Sequence, residues 1–169
     1  MSMLLDYKTD APIIFPSEIK KDLNKRFYYH ISTSYFGDKV ILYPRTWGCH
    51  RPTSEPNIKR ICVAPSVPHC LSSVPLSKSK IYVYRTYRKI QAYYPRYVAD
   101  SKTTKEKWLL DPTCFILENI IPKYLSMVVC DFTKGSPDGE ASQQKHYLET
   151  FKKLLTKDGR LNIYAESWK

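Results

Sequence analysis

His30 and Glu106 are the two side chains whose types and surroundings point to chemistry on a sugar. His30 lies in the aromatic and β-branched segment 27–33, which predicts a strand. An imidazole close to the hydroxyls of Ser32 and Thr33 can form directional hydrogen bonds with a ribose diol. The alternative interpretation is a core histidine whose hydrogen bonds are satisfied inside the protein, and the pattern leaves both open.

Glu106 begins a predicted strand that runs to Leu110 and contains Trp108. A carboxylate in this place, beside an aromatic ring, can accept a hydrogen bond from a sugar hydroxyl and stabilise a developing oxocarbenium ion. The alternative is a solvated surface glutamate between Lys105 and Lys107, which the local charge taken alone favours.

The window 78–107 is rich in both cations and tyrosines. It holds nine Lys and Arg and six Tyr against two acids. In one interpretation Arg85, Arg88 and Lys89 neutralise the phosphates of single-stranded nucleic acid while tyrosines stack on its bases. In a second, the same groups bind only the pyrophosphate of a dinucleotide. The third is a strand over 81–86 followed by a solvated basic loop.

Composition narrows the class of protein. The chain carries 27 Lys and Arg against 16 Asp and Glu, a formal charge of +11, which favours an acidic or nucleic-acid partner. Its five glycines lie too far apart for a dinucleotide-binding or P-loop glycine motif.

No apolar run approaches the length of a membrane span, and we expect no membrane association and no leader. The odd count of five cysteines, without C-x-x-C spacing, predicts reduced thiols in a cytoplasmic protein.

A zinc site is the alternative use of the cysteines and histidines between residues 49 and 70. The candidates are Cys49, His50, Cys62, His69 and Cys70. Structural zinc ligands usually come in two clusters whose members lie about two to four residues apart. Adjacent Cys-His pairs point in divergent directions, and Cys62 lies inside an apolar strand. We therefore expect no metal.

The periodicity predicts one α+β domain over residues 1–169, with its core at 27–131 and flanking elements at both ends. We expect a split, strongly bent, mixed or antiparallel sheet with few short helices. The predicted strands are 27–33, 39–43, 60–64, 81–86, 106–110, 115–121, 125–130 and 161–164. The predicted helices are a short one from 17 to about 25, one over 66–71 and a C-terminal amphipathic helix over 141–156.

Three segments, in this order, resemble the motifs of the ADP-ribosyltransferase superfamily in its His-Tyr-Glu branch. They are Tyr29-His30-Ile31-Ser32, then Arg60-Ile61-Cys62-Val63-Ala64-Pro65-Ser66, then Thr104-Lys105-Glu106-Lys107-Trp108-Leu109. The resemblance covers residues 27 to about 131, and the pattern is also similar to that of small phage-encoded proteins. It implies a split, bent sheet that holds NAD in a cleft.

The resemblance also implies roles for individual residues. His30 would bind the ADP-side ribose, and Glu106 would bind the nicotinamide ribose and promote cleavage of the glycosidic bond. The family's second motif supplies a tyrosine that stacks on nicotinamide, but this strand has no aromatic residue, so Tyr82 or Tyr84 would substitute. Arg45 or Arg60 would lie near the pyrophosphate. The implied cofactor-binding set is Arg45, Arg60, Ser66, Tyr82 and Tyr84.

The sequence thus predicts an ADP-ribosyltransferase-like protein that binds NAD or a related nucleotide and transfers ADP-ribose to a protein or a nucleic acid. The first alternative is a non-catalytic basic protein that binds nucleic acid or a signalling nucleotide in phage–host conflict. The second is a structural phage protein whose charge serves assembly. Transfer of label from NAD, lost on Glu106→Gln, separates an enzyme from a binding protein.

Overall fold

The computed structural model describes residues 3–5, 12–14, 19–46, 57–72, 79–95, 101–126, 129, 149, 153, 162 and 165–169. Within these residues the strands form two four-stranded antiparallel sheets and a separate antiparallel pair, and the helices are few and short. The two sheets do not close into a barrel. The predicted α+β class, with a split antiparallel sheet, is therefore confirmed.

Short strands dominate the described chain. They are β1 (Met3–Leu5), β2 (Pro12–Ile14), β3 (Ile19–Lys21), β4 (Tyr29–Ser32), β5 (Lys39–Leu42), β6 (Ile61–Val63), β7 (Ile81–Thr86), β8 (Tyr93–Pro95), β9 (Lys107–Leu109) and β10 (Thr113–Ile121). The helices are α1 (Val67–Ser72), α2 (Ser101–Thr104) and a 3-10 turn, Glu166–Trp168. Sheet I has the strand order β4-β7-β10-β5, and sheet II has the order β3-β8-β9-β6.

Side-chain alternation along the strands fills the space between the two sheets with apolar groups. Buried residues from both sheets form one cluster: Tyr28, Ile61, Val63, Tyr84, Ala92, Leu109 and Phe115. On β7, Tyr84 points into this cluster, whereas Ile81 and Val83 point the other way, where α1 covers them with Val67 and Leu71. Sheet I is therefore buried on both faces along the part that α1 covers.

The two edge strands of sheet I both reach the outer edge of β6. At one end the backbones of Tyr29 and Ala64 exchange hydrogen bonds of 2.9 and 3.0 Å, and at the other Arg45 and Arg60 exchange bonds of 3.0 and 3.1 Å. Because β4 and β5 stand at opposite ends of the sheet I order, the sheet must curl strongly for both to meet one strand. This curvature is the strong bend that the sequence predicts, and it leaves a gap opposite Cys62.

Two predicted elements are wrong. The helix expected from residue 17 to about 25 is replaced by β3, which pairs with β8 and buries Ile19 against Trp108. Tertiary pairing overrides the local capping signal there. Residues 123–126 are helical rather than the start of a strand over 125–130. Pro122 precedes this turn, and its carbonyl accepts the Leu125 N–H at 3.0 Å.

The remaining predicted elements in the described chain match the structure closely. β7 has its predicted bounds, and β4, β5, β6, β9, β10 and α1 end within two residues of theirs. Two elements, β8 and α2, lie in the basic window where no element was predicted. The predicted helix over 141–156 and strand over 161–164 lie outside the residues that can be described, apart from single positions.

Candidate functional site

The cross-strand pair Cys62–Trp108, which joins β6 to β9, is where the three motif segments meet. His30 from the first segment contacts the backbone of Cys62. Arg60 from the second and Glu106 from the third both contact the side chain of Trp108. Segments far apart in sequence thus converge on one short antiparallel ladder.

The imidazole of His30 lies in the gap opposite β6. Its Nδ1 is 2.9 Å from the carbonyl oxygen of Cys62. A carbonyl only accepts, so Nδ1 carries the proton, and in the neutral ring Nε2 is then the hydrogen-bond acceptor. Burial lowers the pKa of His30, and the charge of Arg45 lowers it further, against the opposing effect of the Cys62 bond. His30 is therefore neutral at pH 7, with an acceptor nitrogen that a sugar hydroxyl can use.

Both interpretations of His30 from the sequence find a counterpart in this geometry. Nδ1 is satisfied by the protein, as in a core histidine, and the ring packs at a tilt against Phe115 with centroids 6.1 Å apart. The residue is nevertheless only partly buried. One edge of the ring is structural, and the opposite edge offers a lone pair.

Arg60 is buried and stacked on Trp108. It is 2% exposed, and its guanidinium carbon lies 4.1 Å from the centre of the indole ring. Its Nη1 donates to the carbonyl of Ile58 at 3.1 Å. Stacking on a desolvated aromatic face stabilises a guanidinium whose burial would otherwise carry a large desolvation penalty.

Glu106 is fixed by the same indole. Trp108 donates its Nε1–H to Glu106 Oε1 at 2.7 Å, and the Glu106 N–H donates to the hydroxyl of Thr104 at 3.3 Å. The side chain is partly buried, so the solvated surface glutamate that local charge favours does not describe it. A carboxylate has two oxygens, and the one that does not hold Trp108 can accept a hydroxyl.

The residue before Glu106 has an unusual backbone. Lys105 has a φ of 52°, the left-handed region that residues other than glycine seldom occupy. Among the described residues it is the only such case outside glycine. Such conformations persist where surrounding contacts hold them, and they cluster at functional sites. Here this backbone conformation redirects the chain between the end of α2 and the start of β9, immediately before Glu106.

Arg45 and Arg60 differ in solvent exposure although their backbones are paired. The Arg60 side chain is buried, whereas Arg45 is exposed on the extension of β5. The positive charge of Arg45 contributes to the lowered pKa of His30. Of the two arginines predicted near a pyrophosphate, Arg45 is the one that solvent and a ligand can approach.

Tyr82 and Tyr84 separate in the same way. Tyr84 is fully buried, and its hydroxyl accepts the Phe36 N–H at 2.8 Å and donates to the Gly37 carbonyl at 3.1 Å. It therefore anchors the β4–β5 turn. Tyr82 is only partly buried and lies beside exposed Tyr35, with ring centroids 5.5 Å apart. A ligand can reach the Tyr82 ring but not the Tyr84 ring.

Ser66 is buried just before α1, and its hydroxyl bonds to Nδ1 of His69 three residues on. This side-chain bond links the residue before α1 to the first turn of the helix. The structure accounts for Ser66 as part of the α1 start, close in sequence to the Tyr29–Ala64 bridge.

The three basic residues predicted to bind nucleic acid lie at and beyond the end of β7. Arg85 is half-buried: its Nε lies 3.5 Å from Glu118 Oε1, and its guanidinium stacks on Phe27 at 4.2 Å. Arg88 and Lys89 are exposed in the turn that follows. Arg85 is thus largely neutralised within the protein, and Arg88 and Lys89 are the accessible pair.

The site residues do not all share one surface. Arg60, Trp108 and Glu106 lie on the face of sheet II that is turned away from sheet I, because Ile61, Val63 and Leu109 occupy the opposite face. His30 belongs to sheet I and reaches sheet II at the edge of β6. A ligand that touched both His30 and Glu106 would have to cross that edge.

Trp108 is the residue of the candidate site that the sequence does not single out. It was noted only as an aromatic neighbour of Glu106, yet it holds both Glu106 and Arg60. The spacing of two residues on a strand, which places two side chains on one face, was the available signal. Nothing local in the sequence pairs it with Arg60, which comes from another strand.

The described residues include three of the candidate zinc ligands, Cys62, His69 and Cys70. Among the described residues, no three His, Cys, Asp or Glu side chains are grouped so as to hold a metal ion. Cys62, Cys70 and Cys114 are thiols. Cys49 and His50, two of the zinc candidates, lie outside the described residues.

Comparison with protein-family models, with curated proteins and with solved structures found no match. Among the helices that the structure describes, none is long and apolar enough to cross a membrane.

Proposed function

We propose that the protein is an ADP-ribosyltransferase-like domain that binds NAD or a closely related nucleotide at the edge of β6. The observation that carries the proposal is the convergence of the three motif segments on the Cys62–Trp108 pair. Arg45, on the adjoining strand extension, supplies an exposed cation for a pyrophosphate. Tyr82 supplies an accessible aromatic ring.

The residues present fit such a ligand chemically. Neutral His30 offers Nε2 as an acceptor for a ribose hydroxyl, and Glu106 offers the oxygen that is not bonded to Trp108. Both groups are pre-oriented by hydrogen bonds on their other side, so little rotational freedom is lost on binding. Support of this kind behind the contacting atoms is typical of functional sites.

The proposed reaction breaks the bond between ribose C1′ and the nicotinamide nitrogen. The electron pair of that bond leaves with nicotinamide, which becomes neutral, and positive charge develops on the ribose. The Glu106 carboxylate stabilises that charge and holds a ribose hydroxyl. A nucleophile of the acceptor then bonds to C1′ and loses its proton to solvent.

Two conservative variants separate binding from turnover. Glu106→Gln keeps an oxygen for Trp108 but removes the negative charge, so NAD should still bind while label transfer from NAD to acceptors in a lysate falls by at least about 100-fold. Glu166→Gln, an exposed glutamate in the C-terminal turn, is the matched control and should leave transfer unchanged.

His30→Asn tests the ribose contact. The Asn amide nitrogen occupies nearly the place of Nδ1 and can still donate to Cys62, but nothing replaces Nε2. NAD affinity, measured by calorimetry, should fall roughly 5- to 15-fold, the effect of one hydrogen bond, while thermal stability is kept. Absence of NAD binding by the wild-type protein at millimolar concentration would refute the proposal. Binding that is equal in wild type and both variants would place the ligand elsewhere.

A further inference from the structure

The outer face of sheet I is only half covered. Helix α1 packs on the part formed by Tyr29, Ile81 and Val83. On β5, Val40 and Leu42 point between the sheets, so Lys39, Ile41 and Tyr43 point outward. Ile41 and Tyr43 are 53% and 68% exposed.

The uncovered part continues from β5 across β10 to the end of β7. Ile41 is paired with Cys114, whose carbonyl accepts the Tyr87 N–H at 2.9 Å. Tyr87 is 51% exposed, and the ammonium group of Lys39 lies 4.5 Å from the centre of its ring. Lys39, Ile41, Tyr43, Tyr87, Arg88 and Lys89 together form an exposed surface that we call the Tyr87 strip.

The strip carries cations beside aromatic rings, and the described acids near it are few. Glu118 forms an ion pair with Arg85, and this pair lies at the border of the strip. Lys89 lies 5.7 Å from the ring of Phe27. Lys39, Arg88 and Lys89 thus put three positive charges on this surface, with Asp111 the described acid that lines the same depression as Arg88, and a bound anion would reduce their mutual repulsion.

A depression of about 430 Å³ opens next to Tyr87, a volume in the range of small-ligand sites. Its polar lining includes Tyr87, Arg88, Gln91, Tyr93 and Asp111. Gln91 donates one amide hydrogen to the Leu23 carbonyl at 2.8 Å, which fixes the orientation of its side chain. Amide and carboxylate oxygens at the rim are acceptors for the exocyclic amine of a base.

We propose that the Tyr87 strip binds single-stranded nucleic acid, with phosphates on Lys39, Arg88 and Lys89 and an unpaired base stacked on Tyr87 at the mouth of the depression. Base stacking on exposed aromatics, combined with a line of cations, is the arrangement that recognises single strands. A duplex keeps its base faces covered and could use only the cations. The proposal does not depend on NAD binding, since His30 and Glu106 do not line the depression.

Binding is measured by fluorescence anisotropy in the absence of NAD with labelled oligo(dA) and oligo(dC), whose bases carry exocyclic amines. If three phosphates are neutralised, the association constant should fall roughly 20-fold between about 50 and about 200 mM salt, since each single-strand phosphate contributes about 0.7 to the log–log slope. A matched duplex should bind more weakly than the single strand at both salt concentrations.

Single substitutions separate stacking from charge. Tyr87→Ala should weaken oligonucleotide binding roughly 5- to 150-fold with the salt slope unchanged, the range measured for loss of one stacked base. Lys39→Ala and Arg88→Ala should each reduce the slope by about 0.7. The matched controls are Tyr124→Ala and Lys20→Ala, exposed residues on other parts of the molecule, and they should bind like wild type.

Each other outcome overturns the proposal. No oligonucleotide binding at low salt does so directly. Equal competition by polyglutamate, with Tyr87→Ala unaffected, would indicate an acidic protein partner. Displacement of the oligonucleotide by NAD, with parallel loss of both ligands in Arg88→Ala, would indicate one nucleotide site. His30→Asn should leave oligonucleotide binding intact, so failure of the NAD proposal and failure of this one are distinguishable.

Discussion

The imidazole of His30 supplies the hydrogen bond to the Cys62 carbonyl that the backbone of a neighbouring strand would otherwise supply. On either side of Cys62, the β6 backbone bonds to another strand, through Ala64 to Tyr29 and through Arg60 to Arg45. Between these two bridges the Cys62 carbonyl accepts the Nδ1–H of His30 at 2.9 Å. A side chain therefore supplies a hydrogen bond to this backbone between the two bridges.

Removing the Nδ1 donor should destabilise the protein, whereas preserving a donor in that place should not. His30→Phe takes this hydrogen bond from the Cys62 carbonyl and should lower the free energy of unfolding by about 1–2 kcal/mol. His30→Asn restores an N–H near the same place and should recover most of that loss. Urea denaturation at pH 8 measures both, and equal stability of the two variants would contradict a structural role for Nδ1.

The lowered pKa of His30 predicts a pH effect of definite sign. In the unfolded chain a histidine takes up a proton near pH 6.5, but the pKa of His30 is lowered in the folded protein, so the unfolded state binds more protons as the pH falls. The stabilising contribution is complete above about pH 7 and is lost progressively as the pH falls from about 6.5 through the lower folded pKa.

The measurement is the urea midpoint of wild type and His30→Asn between pH 8 and pH 5. Wild type should lose more stability than the variant over this range, because the variant lacks the titrating group. The remaining histidines are common to both proteins and cancel in the difference. Parallel pH profiles would show that His30 titrates normally.

The Glu106–Trp108 hydrogen bond predicts contrasting effects of two substitutions whose side chains have similar lengths. Glu106→Gln keeps a carbonyl oxygen to accept the indole N–H and should change the free energy of unfolding by less than about 1 kcal/mol. Glu106→Met removes the acceptor from a fully buried tryptophan and should cost about 1–3 kcal/mol. Thermal denaturation followed by circular dichroism distinguishes them. If both variants are as stable as wild type, the indole N–H does not depend on Glu106.

Cysteine reactivity should follow burial. Cys70 lies on the buried face of α1 and donates its thiol hydrogen to the Tyr29 carbonyl at 3.0 Å, and burial raises the pKa of this thiol. Because the thiolate is the reacting form, Cys70 should be alkylated by iodoacetamide only when the protein unfolds. Partly exposed Cys114 should be alkylated in the native state.

Quantifying the two alkylated peptides by mass spectrometry, with and without urea, checks this expectation. The native rate at Cys70 should be lower than at Cys114 by at least about 100-fold, since local opening is required first. Similar native rates at the two cysteines would mean that α1 detaches readily from sheet I.

Local pattern was enough to predict most strands, but not which of their faces would be covered. The sequence Ile81-Tyr82-Val83-Tyr84 alternates, and both tyrosines looked equally available. Sheet II buries Tyr84 completely, while Tyr82, nearer the strand start, stays accessible. That difference depends on where a second sheet ends, which periodicity along one strand does not encode.

The pairing of charges depends on the fold in the same way. Arg85 looked like part of a basic surface because its neighbours in sequence are basic. In the fold its nearest charged neighbour is Glu118, from the adjacent strand β10, and Phe27 covers its guanidinium. Glu106 shows the converse, since its flanking lysines suggested solvent and its actual partner is an indole. Cross-strand partners come from distant sequence and depend on register.

The curl of sheet I also limits edge-to-edge association between copies of the protein. A strand at the end of a sheet presents unpaired N–H and C=O groups that can template aggregation. Here Tyr29 of β4 is bridged to Ala64, next to β6, and Arg45, three residues beyond β5, is bridged to Arg60, so part of this edge is already paired. At the other end of sheet II, β3 is only three residues long and carries exposed Lys20 and Lys21. Short length and charge are the features by which natural edges discourage pairing, and β3 has both.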